Sequence, residues 1–519
     1  MRGFIREKNR MVLVFLILLS LVLVAVPQEV FAASSVSTDV VTNHIHENDY
    51  STRDKVSDCY IVNNNDGTFS RVENMGDIIY IEKYTASLVK FDQRFVTMEL
   101  PKFGGCYSGA NYNYIVFGQD NPENKEDVEV LRIVKYGKDW TRLGSTSFRD
   151  INTTYPFYGC NSDFAEYGNK LFFRCGHLNY AGQQELLTVS IRISDCAKKE
   201  VQCKSASGNY LDVAATYIDA ADGIVTMADH VLGEPHALRF TSYNSDSIGG
   251  GYAYATALSL RGSTGMNTPY SNIGGYETSG QYYMMVGSSD PTDGSSPNRN
   301  VYVAVLPKHS YASQSIKISY LTGYAYGDLY TVMTPYLVKV DDSTFVVIWE
   351  CKYGYSETEK INYVYLNGAG QMTSEVKTMD GCLSDCQPVL IGNQIVWYTT
   401  NGVRTTMYSI PARTATVAPT AEARSAIVYG GVDYSAVFDH AYYINRYPDM
   451  RVLFANNPAG ALEHFVRYGI SEGRQGSENF NVYVYRNYNG DLRNLFGDDL
   501  RQYYMHFINC GAAEGRKAR

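Results

Sequence analysis

Between Asp66 and Pro411 the chain repeats one phrase seven times: a turn of Asp, Asn or Gly, a strongly apolar strand, a loop, and a second strand. The first strands read TFSRV, YIVFG, LFFRC, IVTMA, YYMMV, FVVIW and IVWYTT. Their partners read IIYIEKY, VLRIVKY, LLTVSIRI, ALRFTSY, VYVAVLP, INYVYLN and TMYSI. Successive pairs are separated by roughly 45 to 65 residues, the spacing of four-stranded blades repeated about an axis. One relation is visible residue by residue: PYLVKVDDSTFVVIW at Pro335–Trp349 parallels PVLIGNQIVW at Pro388–Trp397. Two stacked sandwiches would need an internal boundary, and no break interrupts the pattern. The expectation is a mainly β chain with a β-propeller over 56–410, seven blades being favoured and six or eight the alternatives.

Behind this body lies a second repeat with a period of 42. Phe438 aligns with Phe480, Tyr443 with Tyr485, Asp449 with Asp491, His464-Phe465 with His506-Phe507, and Glu472-Gly473-Arg474 with Glu514-Gly515-Arg516. Two copies over 431–519 make a separate small module. Pro448 fits a first helical turn, where a missing N–H costs nothing. Leu462, Phe465 and Val466 share one helix face. Gly469 and Gly511 are placed where a left-handed residue would end a helix. The copies are expected to stack and bury Phe454, Phe465, Phe496 and Phe507, with His464 and His506 in packing or hydrogen-bonding roles. The Pro-, Ala- and Thr-rich stretch 411–430 reads as a linker.

The N-terminus reads as an export signal. Arg2, Arg6, Lys8 and Arg10 precede an apolar run from Met11 to Val26, and Val30-Phe31-Ala32 supplies a small-x-small cleavage site before Ala33. A secreted or surface-associated protein is expected, with membrane contact only if this segment is retained as an anchor. Residues 33–55 are polar and without periodicity, and read as a flexible lead-in. Loss of 1–32 removes a net +2 and takes the charge from −9 to −11. So acidic a chain argues against non-specific capture by nucleic acid or by acidic wall polymers, which a basic surface would favour. Export permits disulfides: Cys196 and Cys203 flank a turn, and Cys382, Cys386 and Cys351 are further candidates. No cysteine pair has zinc-knuckle spacing and none has a histidine beside it.

GCYSGANYNYIVFGQDNPEN, VLRIVKYGKDWTRLGS and DFAEYGNKLFFRCGHLNY, between Gly105 and Tyr180, resemble propeller domains of exported proteins from Gram-positive bacteria. The resemblance implies a fold and a location, and no reaction. The tail resembles a helical repeat appended to many exported bacterial proteins, carried here by Tyr443, Pro448, Asp449, His464, Phe465, Gly469, Glu472, Gly473 and Arg474. The second copy departs from it with Gly490 in place of the proline. This implies an accessory role, attachment to the wall or to a partner.

Tyrosine is the compositional anomaly, 45 residues against 21 Phe and 3 Trp. A flat apolar ring with a hydroxyl suits both sheet surfaces and polar ligands. Tyr324, Tyr326, Tyr353 and Tyr355 in loop-like stretches are the contact candidates, with Gln119 and Arg174 as polar partners; Trp349 and Trp397 end apolar strands and read as core. Polar groups at strand ends include Asp120, Asp290, His177, His230 and His236. The leading reading is a binding protein for an extracellular glycan, cell-wall polymer or surface protein, which needs no cofactor. A carbohydrate-active enzyme is the alternative. It would be a lyase with a divalent metal on His177, His230 and His236, or a hydrolase with Asp229 and Glu350 as its carboxylate pair. A structural spacer is the third reading.

Overall fold

The computed structural model describes residues 32–46, 55–203, 213–231, 236–248, 253–260, 271–291, 298–325, 327–354, 356–413, 427–429, 432–454, 457–512, 514 and 516–519. They form two compact units that divide at Ala415/Thr416. The apolar run Met11–Val26 lies outside the described residues, and no helix within them is long and apolar enough to cross a membrane.

Unit 1 is a seven-bladed propeller of seven antiparallel sheets. The innermost strands of blades 1 to 7 are Cys59–Asn63, Lys102–Ser108, Ser162–Tyr167, Val213–Ala221, Gly275–Thr278, Tyr336–Asp341 and Val389–Ile391. Each lies beside the next, and the seventh lies against the first, so the ring closes. The strands read from the sequence are the two middle ones of each blade, such as Asn113–Gly118 with Leu131–Tyr136 in blade 2, paired from Asn113↔Tyr136 to Gly118↔Leu131. Middle strands are covered on both faces, which is why they read as unbroken apolar runs. Seven apolar clusters fill the seams between successive blades. Trp349 lies in the seam of blades 5 and 6, and Trp397 in that of blades 6 and 7.

Closure corrects the reading of 33–55 as a flexible lead-in. Ala32–Val36 is the outermost strand of blade 7, paired with Thr405–Pro411 from Ala32↔Ser409 to Val36↔Thr405. Asn43–His44 then pairs with the end of Gln394–Asn401. Residues 37–46 form a strap over the seam of blades 7 and 1; residues 47–54 of the lead-in fall outside the described ones. The strap lacks periodicity because polar contacts hold it. Thr38 Oγ1 donates to Glu82 Oε2 at 2.7 Å, Thr42 Oγ1 to Glu73 Oε1 at 2.5 Å, and Arg71 Nη1 to the Val40 carbonyl at 3.0 Å.

Disulfides expected among the clustered cysteines are not formed: Cys196, Cys351, Cys382 and Cys386 are thiols. The Cys203 side chain is not among those described. Of the linker 411–430, residues 414–426 and Gly430 lie outside the described ones, and Thr405–Pro411 is still a blade strand.

Unit 2 carries the repeat as seven-residue helices: His440–Arg446, Pro448–Phe454 and Pro458–His464, then Val482–Tyr488, Gly490–Phe496 and Leu500–His506. Asp439, Asn457, Asn481 and Asp499 cap four of them through side-chain oxygens. The copies share one core in which Phe465 meets Tyr504 and Phe480 meets Phe507. Phe454 and Phe496 are only partly buried against it. Gly469 and Gly511 differ from expectation. Neither is left-handed; each sits in a wide terminal turn where a Cβ would lie 2.7 Å from Tyr443 Oη and 2.0 Å from Tyr485 Oη respectively. Gly473 is the left-handed residue, at φ +69°.

Candidate functional site

In each antiparallel blade the innermost strand starts where the second strand ends, so both gather at one face of the ring. Three constellations lie on or below this face.

The first is the axial channel. Its walls include Tyr60, Tyr107, Asp163, Glu166, Asp219 and Glu277, and its mouth is lined by Lys55, Asn161, Ser162, Tyr217, Asp385 and Gln387. Asp163 Oδ2 accepts from the Ile218 amide at 2.9 Å, and Asp219 Oδ2 accepts from Thr278 Oγ1 at 2.6 Å. Enclosure pushes the Asp163 carboxyl up to about 7 against its amide donors, with Asp219 adding to the rise. Glu277 faces the same channel and is pushed well up, by enclosure first and then by Asp219 and Asp163, against Lys339. None of these four carboxylates stood out in the sequence, because inner strands are short and carry no apolar run.

The second is an aromatic patch on blade 6. Tyr324 stacks on Tyr330 with centroids 5.8 Å apart, and Tyr330 meets Tyr353 at 4.9 Å. Tyr330 and Tyr353 are 43% and 49% exposed, and Leu329 extends the patch at 58%. The ring at Tyr324 is half-buried, and its hydroxyl reaches Cys351 Sγ at 3.5 Å. Short strand Tyr330–Val332, paired with Thr344–Tyr353, brings Tyr330 opposite Tyr353. Tyr324 and Tyr353 are thus joined as sequence candidates, and Tyr330 is the member that reading missed. Tyr326 and Tyr355 lie outside the described residues.

The third lies under the strap. His44 Nε2 contacts Glu73 Oε1 at 2.7 Å, and His44 Nδ1 lies 3.4 Å from Asp385 Oδ1. Cys59 Sγ donates to that same oxygen at 2.8 Å. Beside it His46 Nδ1 contacts Glu350 Oε1 at 2.9 Å, with Cys382 completing the group. Burial works against the charge on His46, but Cys382 and Glu350 outweigh it and push the ring up to about 10. These are the two groups of His, Cys, Asp and Glu, among the described residues, whose donor atoms converge closely enough for a metal ion. His44-x-His46 and Cys382-x-x-x-Cys386 were the only traces in the sequence, each in a segment that reads as loop.

Other sequence candidates are placed elsewhere. Arg174 is turned into the seam of blades 3 and 4, donating to Asp229 Oδ2 at 3.0 Å, Thr216 Oγ1 at 2.8 Å and Thr188 Oγ1 at 2.5 Å. Asp229 Oδ1 accepts from Thr216 Oγ1 at 2.6 Å, so its carboxylate is fully engaged. Glu350 is likewise buried, between His46 and the Leu383 amide at 3.0 Å. Asp229 and Glu350 therefore sit in different seams as anchors and do not face one another as a hydrolase pair. His177 is buried in blade 3 with Nδ1 on Thr153 Oγ1 at 2.9 Å, while His230 and His236 stack on each other in blade 4 at 5.5 Å. Burial drives the His177 and His230 rings down, to about 4 and about 3, so both are neutral. They do not gather into one metal-binding group. Gln119 follows the second strand of blade 2, half-buried, and Asp120 pairs with Lys102. Asp290 is buried after the second strand of blade 5.

No family model matches the chain, and no curated protein matches its sequence. Among solved structures it is similar to a subtype N10 neuraminidase-like protein of A/little yellow-shouldered bat/Guatemala/060/2010. That match has 8% identity, covers 64% of this chain and 98% of the other, and has a TM-score of 0.37. It is also similar to an oligogalacturonate lyase from Vibrio parahaemolyticus, with 9% identity, 73% and 96% coverage, and a TM-score of 0.40. At such values neither carries an argument about chemistry; the propeller rests on the sheets of this chain.

Proposed function

We propose that the protein is an extracellular or cell-surface binding protein whose propeller recognises a glycan through the aromatic patch of blade 6. The carrying observation is the stack of Tyr324, Tyr330 and Tyr353, two of its rings open to solvent on a face built of polar loops. Aromatic rings take the apolar faces of sugar rings, and nearby amides and carboxylates take the hydroxyls. The Asn298 amide group, which donates to the Asp328 and Tyr330 carbonyls at 2.7 and 3.0 Å, holds the loop that presents the patch. In this reading the helical tail attaches the protein to the wall or to a partner, and export follows from the N-terminal signal. Co-sedimentation of the full chain with insoluble polysaccharides and cell walls tests it. Binding to one polymer should fall at least about tenfold in Tyr330→Ala and Tyr353→Ala, a loss of about 1.4 kcal/mol. Unchanged binding by both variants, or no binding to any polymer, would refute the reading.

One observation favours an enzyme as the second reading. Asp163, held up to about 7 in the channel with Asp219 and Glu277 near it, has the character of a general acid beside carboxylates. Release of soluble sugar from the polymer by the wild type, abolished in Asp163→Asn, would favour it. Binding without release in both would exclude it for that polymer.

A further inference from the structure

The strap that completes blade 7 carries His44 to a point where two other distant segments also end. Cys59 opens the inner strand of blade 1, and Asp385 precedes the inner strand of blade 7. One ligand atom from each of His44, Cys59 and Asp385 lies within 4.8 Å of the others. The Cys386 thiol is within hydrogen-bonding reach of the Cys59 sulfur. We propose that these residues form a zinc site that locks the ring: His44, Cys59 and Asp385 as ligands, with Cys386 as the fourth donor.

The argument rests on how each group is held. His44 has one ring nitrogen on Glu73, the carboxylate–histidine arrangement that fixes a metal-binding ring and raises its basicity, and its other nitrogen on the Asp385 side. Glu73 is itself fixed by Arg71 Nη2 at 2.8 Å and the Tyr398 hydroxyl at 2.6 Å. Asp385 has Oδ2 engaged by Ser57 Oγ at 3.1 Å and the Asp58 amide at 3.3 Å, which leaves Oδ1 facing His44 and Cys59. His44 and Asp385 thus each have an outward atom tied to the protein and an inward atom aimed at the Cys59 sulfur's side of the group. Without a metal the Cys59 proton bridges sulfur and Asp385 Oδ1; a divalent cation that takes the place of that proton would be met by the same sulfur, the same carboxylate oxygen and the His44 ring nitrogen. The mixture of sulfur, nitrogen and oxygen in fours is the set that zinc takes. Binding is balanced without redox chemistry: each cysteine thiol gives up its proton to solvent as its sulfur bonds the metal.

The neighbouring group of His46, Glu350 and Cys382 differs. There the ring nitrogen inside the group already makes an ion pair with Glu350, whose other oxygen is held by the Leu383 amide. That group is complete without a cation, and it serves as the comparison in the test.

The test uses the untagged full chain, purified without chelator, incubated with zinc sulfate and desalted. Elemental analysis should find one zinc ion per chain, and cobalt substitution should give the intense absorption of thiolate–cobalt charge transfer. Cys59→Ser and His44→Gln should each lower zinc content at least about tenfold in chains that still melt cooperatively, while His46→Gln retains it. Should either ligand variant fail to fold, the wild-type zinc content and cobalt spectrum still decide. A cooperatively folded wild type without zinc would overturn the proposal. So would zinc retained in Cys59→Ser, zinc lost only in His46→Gln, or a Cys59–Cys386 disulfide in non-reduced peptide maps.

Discussion

Two seams of one propeller are built on different principles. Blades 5 and 6 meet through Met284, Val286, Val303, Leu337, Val347 and Trp349, an apolar joint with little geometric preference. Blades 7 and 1 meet through a smaller apolar cluster, beside which blade 1 holds Arg71 between Glu73 and Glu82, all about 1% exposed, and Tyr398 of blade 7 and Thr38, Val40 and Thr42 of the strap bond to these three. Consecutive blades follow each other along the chain, so generic burial is enough to bring them together. The closing seam must select one segment from more than 300 residues away, and hydrogen bonds to buried charges are suited to fixing register because a misplaced segment leaves a charge without its donors or acceptors.

The largest expected effect comes from removing the cation of the closing seam. Arg71→Met takes from two buried carboxylates the cation they share, leaving Glu73 with His44 and Glu82 with Lys90, and should cost about 3–5 kcal/mol in urea unfolding. A cost below about 1 kcal/mol would mean that the strap is not held as described. Leu337→Ala, wholly buried in the apolar seam, should cost about 3 kcal/mol through lost transfer energy and a cavity. Salt should change neither effect much, because the Arg71 group is as well shielded from solvent as Leu337.

Acid should act on the interior of blades 3 and 4. His177 and His230 have folded-state values depressed to about 4 and about 3, below the ordinary 6.5. Their contribution is therefore present above pH 6.5 and is lost as pH falls toward those values, since only the unfolded chain takes up the protons readily. The groups facing them are Glu185, 3.8 Å from His177, and His236, stacked on His230. Melting temperature should drop between pH 6.5 and 4, and His230→Gln should flatten that drop; an unchanged profile would remove His230 from the account. The smallest effect belongs to the tail. Arg474 also sits between two carboxylates, Asp449 at 2.9 Å and Glu472 at 2.5 Å, but at the surface, so Arg474→Met should cost about 1 kcal/mol or less. A loss as large as that of Arg71→Met would erase the distinction between buried and exposed pairs.

The sequence was legible where strands are covered on both faces and illegible where they are not. TFSRV, LFFRC and FVVIW announce themselves because every side chain meets protein. Inner strands such as Ser162–Tyr167 and Gly275–Thr278 alternate between the seam and a channel, and outer strands such as Lys90–Thr97 between blade and solvent. The tail repeat was legible in full register: Tyr443 to His464 at 3.1 Å recurs as Tyr485 to His506 at 2.8 Å. Of the patch, Tyr324 and Tyr353 were readable as aromatics in loop-like stretches. The group at His44, Cys59 and Asp385 was not, because nothing local in a polar segment signals a partner 341 positions along the chain.

Closure by the N-terminal strand imposes an order in time. Ala32–Val36 is made long before Thr405–Pro411, the strand it pairs with. During synthesis it has no neighbour to hydrogen-bond until the last blade emerges, so six blades can assemble as an open arc before the ring exists. Closing a loop of this length is entropically costly and comes late. Any interruption of synthesis within blade 7 leaves that strand edge unpaired and sticky, which makes the first described strand of the chain the reporter of whether the last one was finished.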